Sequence, residues 1–213
     1  MDLALPTRLT VATDGTLGGA TRRYTKLLGD LDGVYRDNTA WQAAVAEQGA
    51  ESIAYAVDDH RYPDQAGGTG RDQLAADNAG ALIVGTSTLQ PGIVGDEYAM
   101  TRGHLHAIAD RAELYHCLSG HGVMLLETVD GHSETVELRP GEAVNVPGHW
   151  IHRSVNVGDE PFVTLFCYAA DAGQDYGIIA DAGGMRSLIV RDGDSWAAVP
   201  NPDHIGYRAD GKA

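Results

Sequence analysis

The chain has 213 residues, and 15 lysines and arginines against 30 aspartates and glutamates give it a formal net charge of −15. That length fills one hydrophobic core, and no stretch approaches the ~18 consecutive apolar residues of a membrane span. The charge repels polyanions and excludes nucleic acid as a partner, while leaving a small anion possible wherever the surface is locally positive.

The N-terminus carries Asp2 and no unbroken apolar run, so it does not read as a secretory leader and a cytoplasmic address is expected. Residues 1–79 read as a helical and strand extension, 80–192 as a β-barrel core and 193–213 as a tail, all within one domain. In the extension, Tyr24, Leu27, Leu28 and Leu31 recur at helical spacing across Thr21–Leu31, with Gly29 weakening the last turn. A second helix is predicted over Thr39–Gly49. Thr39 with Gln42 fits a capping box, Ala and Gln favour the helix, and Gly49 ends it. Residues 60–73 predict a loop.

From residue 80 the pattern changes. Runs rich in Val, Leu, Ile, Thr and Tyr, at 81–89, 113–118, 122–129, 142–147 and 162–170, alternate with Gly, Pro and Asp turns. Short strands separated in this way are the signature of an antiparallel sandwich or barrel. Cys117 and Cys167 sit in apolar surroundings, and two thiols at this spacing form no disulfide framework, so both are expected buried and reduced.

The stretch GHLHAIADRAELYHCLSG, residues 103–120, concentrates the chemistry. Residues two apart on a strand share a face, so His104 and His106 project together. Glu113, Tyr115 and Cys117 share a face of the next run. If that run pairs back against the first, both imidazoles and the carboxylate converge.

A second motif, GEAVNVPGHWIHRSVN, places Gly141, Pro147, His152 and Asn156 at G-x5-P-x4-H-x3-N spacing. The two motifs together resemble the cupin family, with one departure: His149 stands where a glycine is usual. The resemblance implies a mainly β fold, a double-stranded β-helix (jelly-roll) barrel. In it His104, His106, Glu113 and His152 would bind one divalent metal ion. Three imidazoles and a carboxylate suit Fe2+, Mn2+, Ni2+, Cu2+ or Zn2+ alike. A divalent ion with one Glu and neutral His keeps about one positive charge, enough to attract an anion on an acidic protein.

Around the ligands, GDEYAMTRGHLH, DAGQDYG and the earlier GVYRDNTAWQAAVAE resemble the cupin-type glucose-6-phosphate isomerases over nearly the whole chain. That resemblance implies interconversion of glucose 6-phosphate and fructose 6-phosphate, through a metal-stabilised cis-enediolate or a hydride shift. Glu113 is then both ligand and proton carrier, and Tyr115 a proton donor or shuttle. Thr86, Ser87, Thr101 and Gly103 are implied for the phosphate, with Tyr168 and Tyr176 closing the pocket. Gln174 stands where the family usually has histidine and Ser87 where threonine is common, changes that bear on the sugar and not on the metal. Arg102, by alternation, is expected to face out of the barrel.

The same residues admit other readings: isomerisation of mannose 6-phosphate or a C6-sulfonated hexose, an Fe2+ cupin dioxygenase, or a non-catalytic sugar-binding cupin. Most cupins dimerise, so a homodimer acting on a small anionic sugar is expected.

Overall fold

The computed structural model describes residues 5–61 and 80–208. In chain order, β1 (Thr10–Val11) and β2 (Leu17–Gly18) form a small hairpin, followed by β3 (Arg22–Leu27), helix α1 (Asn38–Gln48) and β4 (Ile53–His60). Then come β5 (Leu82–Leu89), β6 (Ile93–Val94), β7 (Glu97–Tyr98), β8 (Glu113–Ser119), β9 (Gly122–Glu127) and β10 (Ser133–Leu138). The chain continues through β11 (Ala143–Val146), β12 (Ile151–Asn156), β13 (Phe162–Ala169), a short helix α2 (Gly177–Asp181), β14 (Ser187–Asp192) and β15 (Ser195–Pro200). The protein is mainly β, and its strand pairs are antiparallel, as expected for the jelly-roll.

A six-stranded sheet, in the order β11-β8-β13-β5-β4-β3, faces a three-stranded sheet, β10-β9-β12. The inner faces of the two sheets share one core, with Phe162, Met124, Ile151 and Leu138 almost fully buried. β9 and β12 are buried along their whole length, so they are covered on both faces. Glu127, at the end of β9, fastens part of that outer cover. It is fully buried and accepts hydrogen bonds from the backbone of Arg186 and Ser187 at 2.8 Å and from the Tyr207 hydroxyl. No helix of the described residues is long and apolar enough to cross a membrane.

Two expectations for the N-terminal part need correction. The Thr21–Leu31 segment is not a helix: Arg22–Leu27 is strand β3, and only Leu28–Leu31 turns, as a 3-10 helix. Pairing with β4, from Arg22 opposite Asp59 to Lys26 opposite Tyr55, satisfies the backbone that a helix would otherwise have to satisfy internally. The apparent helical stripe survives only as Leu28 and Leu31, whose spacing of three suits a 3-10 turn and whose side chains are buried there. β3 and β4 are therefore outer strands of the main sheet.

Helix α1 forms where expected, but Asp37, not Thr39, caps it. The Asp37 carboxylate accepts from the Ala40 amide at 2.9 Å, which places Thr39 inside the first turn. Gly49 ends the helix at φ 93°, donating to the Val45 carbonyl. Asp37→Ala is expected to lower stability by about 1 kcal/mol, read by urea unfolding. His60 closes β4, and the rest of the loop predicted at 60–73 lies, beyond Arg61, outside the described residues. Of the two thiols, Cys117 is buried and Cys167 is half-buried.

Candidate metal centre

The segment that carries the two histidines does not pair with β8, contrary to the sequence expectation. It runs along the edge of β12, with bridges Met100–Val155 and His104–His152, while Leu105 bridges to Asp175 on its other side. Three residues lie between 100 and 104, whereas two lie between 152 and 155, so the segment carries one extra residue against β12. This is a β-bulge, and Gly103 supplies its left-handed residue at φ 72°. The bulge brings the His104 imidazole to the one on β12, with ring centres 4.4 Å apart.

β8 comes from the opposite sheet and brings Glu113 and Tyr115 inward, both buried, while Leu114 between them faces out. The inward face of β8 is thus as the alternation predicts. The ligand atoms of His104, His106, Glu113 and His152 lie within 4.8 Å of one another, and all four residues are buried. Glu113 Oε2 faces His106 Nε2 at 3.2 Å and His152 Nε2 at 3.1 Å. Behind the rings, His106 Nδ1 lies 2.8 Å from the Arg111 carbonyl and His152 Nδ1 3.0 Å from the Trp150 carbonyl. A carbonyl can only accept, so each Nδ1 carries the proton and each Nε2 turns a lone pair inward when the ring is neutral.

His104 Nε2 is buried and has no hydrogen-bond partner among the described residues. An orphaned imidazole nitrogen aimed at two further imidazoles and a carboxylate fits a divalent cation and little else. Electrostatics agree. Burial, with His152 next, holds the His104 imidazole far below its ordinary value. Burial pushes the Glu113 carboxyl up, but the His106 and His152 rings, which with no metal between them donate from Nε2 as imidazolium, outweigh it and hold the group well below the usual carboxylate range. The set therefore presents an ionised carboxylate and an unprotonated His104, the states in which these groups ligate metal.

His104 and Glu113 of the cluster line a cavity of about 630 Å³, counting the part open to solvent. Of the residues implied for the sugar, Ser87, Thr101, Gly103, Tyr115, Tyr168, Gln174 and Tyr176 line it. Thr86 does not: it is one step out of phase on β5, and its hydroxyl donates to the Gly15 carbonyl on the other side of the sheet. The Thr101 hydroxyl accepts from the Ser154 amide at 3.1 Å, which ties it to the edge of β12. Gln174 accepts from the Tyr176 hydroxyl, so the family's histidine position here holds a pocket tyrosine.

His149 is exposed, outside the cavity lining. It is nonetheless the one non-glycine among the described residues with positive φ, at 72°, so the backbone need of the usual glycine is still met there. Arg102 does not point away from the pocket residues either. Its guanidinium lies over the Tyr176 ring, 5.6 Å from the centre.

Sequence reasoning missed Arg22, Tyr24, Tyr55, Asp59 and Arg61, which form the far wall. Tyr24 and Arg22 alternate inward on β3, a period of two that the helical reading concealed.

The chain matches the family Glucose-6-phosphate isomerase (GPI) over residues 25–204. It is similar to the "Putative glucose-6-phosphate isomerase 2" of Rhizobium meliloti (strain 1021), 48% identical over 183 residues that cover 86% of this chain and 84% of the relative. The glucose-6-phosphate isomerase of Pyrococcus furiosus is 38% identical over 188 residues, 88% of this chain and 90% of that protein. A solved oxalate decarboxylase from Bacillus subtilis superposes on 55% of this chain and 26% of its own, with 23% identity and a TM-score of 0.40.

Proposed function

Because the chain belongs to the glucose-6-phosphate isomerase family, we propose that it interconverts glucose 6-phosphate and fructose 6-phosphate at the four-ligand cluster. It is an aldose–ketose isomerase, and the observation that carries the assignment to this site is His104, His106, Glu113 and His152 converging beneath a hydroxyl-lined cavity.

The isomerisation moves a hydrogen between C2 and C1, and a carbon acid of this kind is weak until its carbonyl is polarised. His104, His106, Glu113 and His152 would hold a divalent cation, which would supply that polarisation and offset the developing negative charge. Glu113 takes the proton. Its Oε2 is the atom shared by His106 and His152, which leaves the second carboxylate oxygen to reach the substrate carbon. A carboxylate held this far below its usual range is a weak base, so it works only on a carbon already acidified at the carbonyl.

Tyr115 stays protonated. Burial, then the Glu113 charge, pushes its phenol far above the ordinary value. It therefore acts as a donor, orienting Glu113 or a sugar hydroxyl. Tyr168 and Tyr176, with the Ser87 hydroxyl, exclude water and hold the remaining hydroxyls.

A coupled assay tests this reading. The purified protein is expected to convert fructose 6-phosphate to glucose 6-phosphate, to lose turnover on treatment with a chelator and to regain it with an added divalent ion. Turnover indifferent to chelation would refute the role given to the cluster.

A further inference from the structure

A hexose 6-phosphate brings its reacting carbons at one end and a dianion at the other. A chain of net charge −15 repels that dianion until a local cation takes over. Histidines aside, the charged residues that line the cavity among the described residues are Arg22, Asp59, Arg61 and Glu113.

Three of these four are committed. Glu113 faces His106 and His152. Asp59 is 1% exposed and grips Arg61 through both carboxylate oxygens, at 2.8 Å from Nε and 3.0 Å from Nη2. That pair cancels its own charge. Arg22 differs, since among the described residues no carboxylate pairs with it, and its guanidinium carbon stands 4.8 Å over the centre of the Tyr24 ring. Its neighbour Arg23, on the other face of β3, does find a carboxylate, Asp58 at 2.7 Å. An arginine laid on an aromatic face keeps its planar fork of donors free for an oxyanion.

Strand register places Arg22 relative to the chemistry. Arg22 is opposite Asp59, Asp59 opposite Gly85, Gly85 opposite Phe166, and Phe166 opposite Tyr115. One row thus crosses five strands from the neighbour of Glu113 to Arg22, four strand spacings or about 19 Å along the sheet. The curve of the barrel and side chains reaching inward at both ends shorten that span towards the length of a sugar phosphate. Tyr176 lines the same cavity, its ring centre 5.6 Å from that of His104.

We propose that Arg22, stacked on Tyr24 at the far wall, is a specificity-determining residue that receives the C6 phosphate of the substrate whose C1 and C2 lie at the metal ligands. The proposal rests on the isomerase reading. Ser87 and the Gly103 region offer neutral donors that orient a phosphate, whereas Arg22 supplies the charge that draws it in and distinguishes it from a neutral sugar.

Kinetics of Arg22→Gln and Arg22→Lys beside the wild type test it. Arg22→Gln is expected to raise KM for fructose 6-phosphate about ten-fold or more with a much smaller change in kcat, the loss of a charge-assisted contact made equally in ground and transition states. The wild-type KM is expected to rise with ionic strength, and the Gln variant to lose part of that slope, whereas a residue that only packs the wall would leave the slope unchanged. Arg22→Lys is expected to recover much of the KM, since it keeps the charge. A KM for Arg22→Gln within about two-fold of wild type, or a fall confined to kcat, would overturn the proposal. A wild-type protein with no turnover of fructose 6-phosphate would overturn the isomerase reading and this inference with it, so the two failures are distinguishable.

Discussion

Glu113→Gln is expected to reduce turnover of fructose 6-phosphate by about 10³-fold or more, and the loss is expected to persist at saturating metal. The substitution preserves shape and removes two properties. The first is charge: with three imidazoles, Glu113 is the one anion of the cluster, and a neutral amide leaves a divalent ion with no counter-charge in a buried site. The second is geometry. Glu113 Oε2 faces two imidazole Nε2 atoms at once, and an amide presents its nitrogen wherever its oxygen is not.

Weaker metal binding follows, by more than the roughly 10- to 100-fold that loss of a ligand's outer hydrogen-bond partner costs. An excess of metal restores occupancy without restoring a group that can carry the proton. Metal content and turnover, measured together across a metal titration, therefore separate ligand from proton carrier. Recovery of turnover once the site is filled would leave Glu113 a ligand only and favour a hydride shift between C1 and C2.

The motifs were legible because strand alternation writes them into the chain. Glu113, Tyr115 and Cys117 face inward and Leu114 outward, as a period of two requires. Cross-strand register is not written in that way. Nothing in the spacing of His104 and His106 reveals that they lie beside β12 and not β8, or that an extra residue intervenes, since a bulge is defined by the partner strand. Thr86 shows the same difficulty in reverse. A one-residue step on β5 exchanges the cavity for the outer face, and Ser87 alone of that pair points in. At Leu28 and Leu31 the i, i+3 pattern was real but belonged to a single 3-10 turn, and extending it backwards hid Arg22 and Tyr24 in a helix that does not exist.

The bulge carries the second large effect. Gly103→Ala is expected to lower stability by about 2–4 kcal/mol and to weaken metal binding along with it. Gly103 sits at φ 72°, where a side chain is strained, and its Cβ would come within 2.9 Å of Ile179 Cδ1, 3.0 Å of Arg153 Cβ and 3.0 Å of the His152 carbonyl oxygen. The Ile179 methyl group can move. The carbonyl cannot, because it accepts the His104 amide at 3.1 Å in the bridge that sets two ligands side by side. Relief therefore comes from opening that bridge, which shifts the His104 imidazole from the other three.

Gly141→Ala separates strain from displacement. Gly141 also has positive φ, 91°, but a Cβ there meets nothing within 4 Å, so it is expected to cost only the conformational term, about 1 kcal/mol. Urea unfolding of the metal-stripped proteins gives the two stabilities, and metal titration of the folded proteins gives the affinities. Gly141→Ala is expected to keep wild-type affinity and Gly103→Ala to lose it. A Gly103→Ala protein that binds metal as the wild type does would show that the ligands are aimed without the bulge, and that the His104–His152 bridge is a consequence of the site and not its cause.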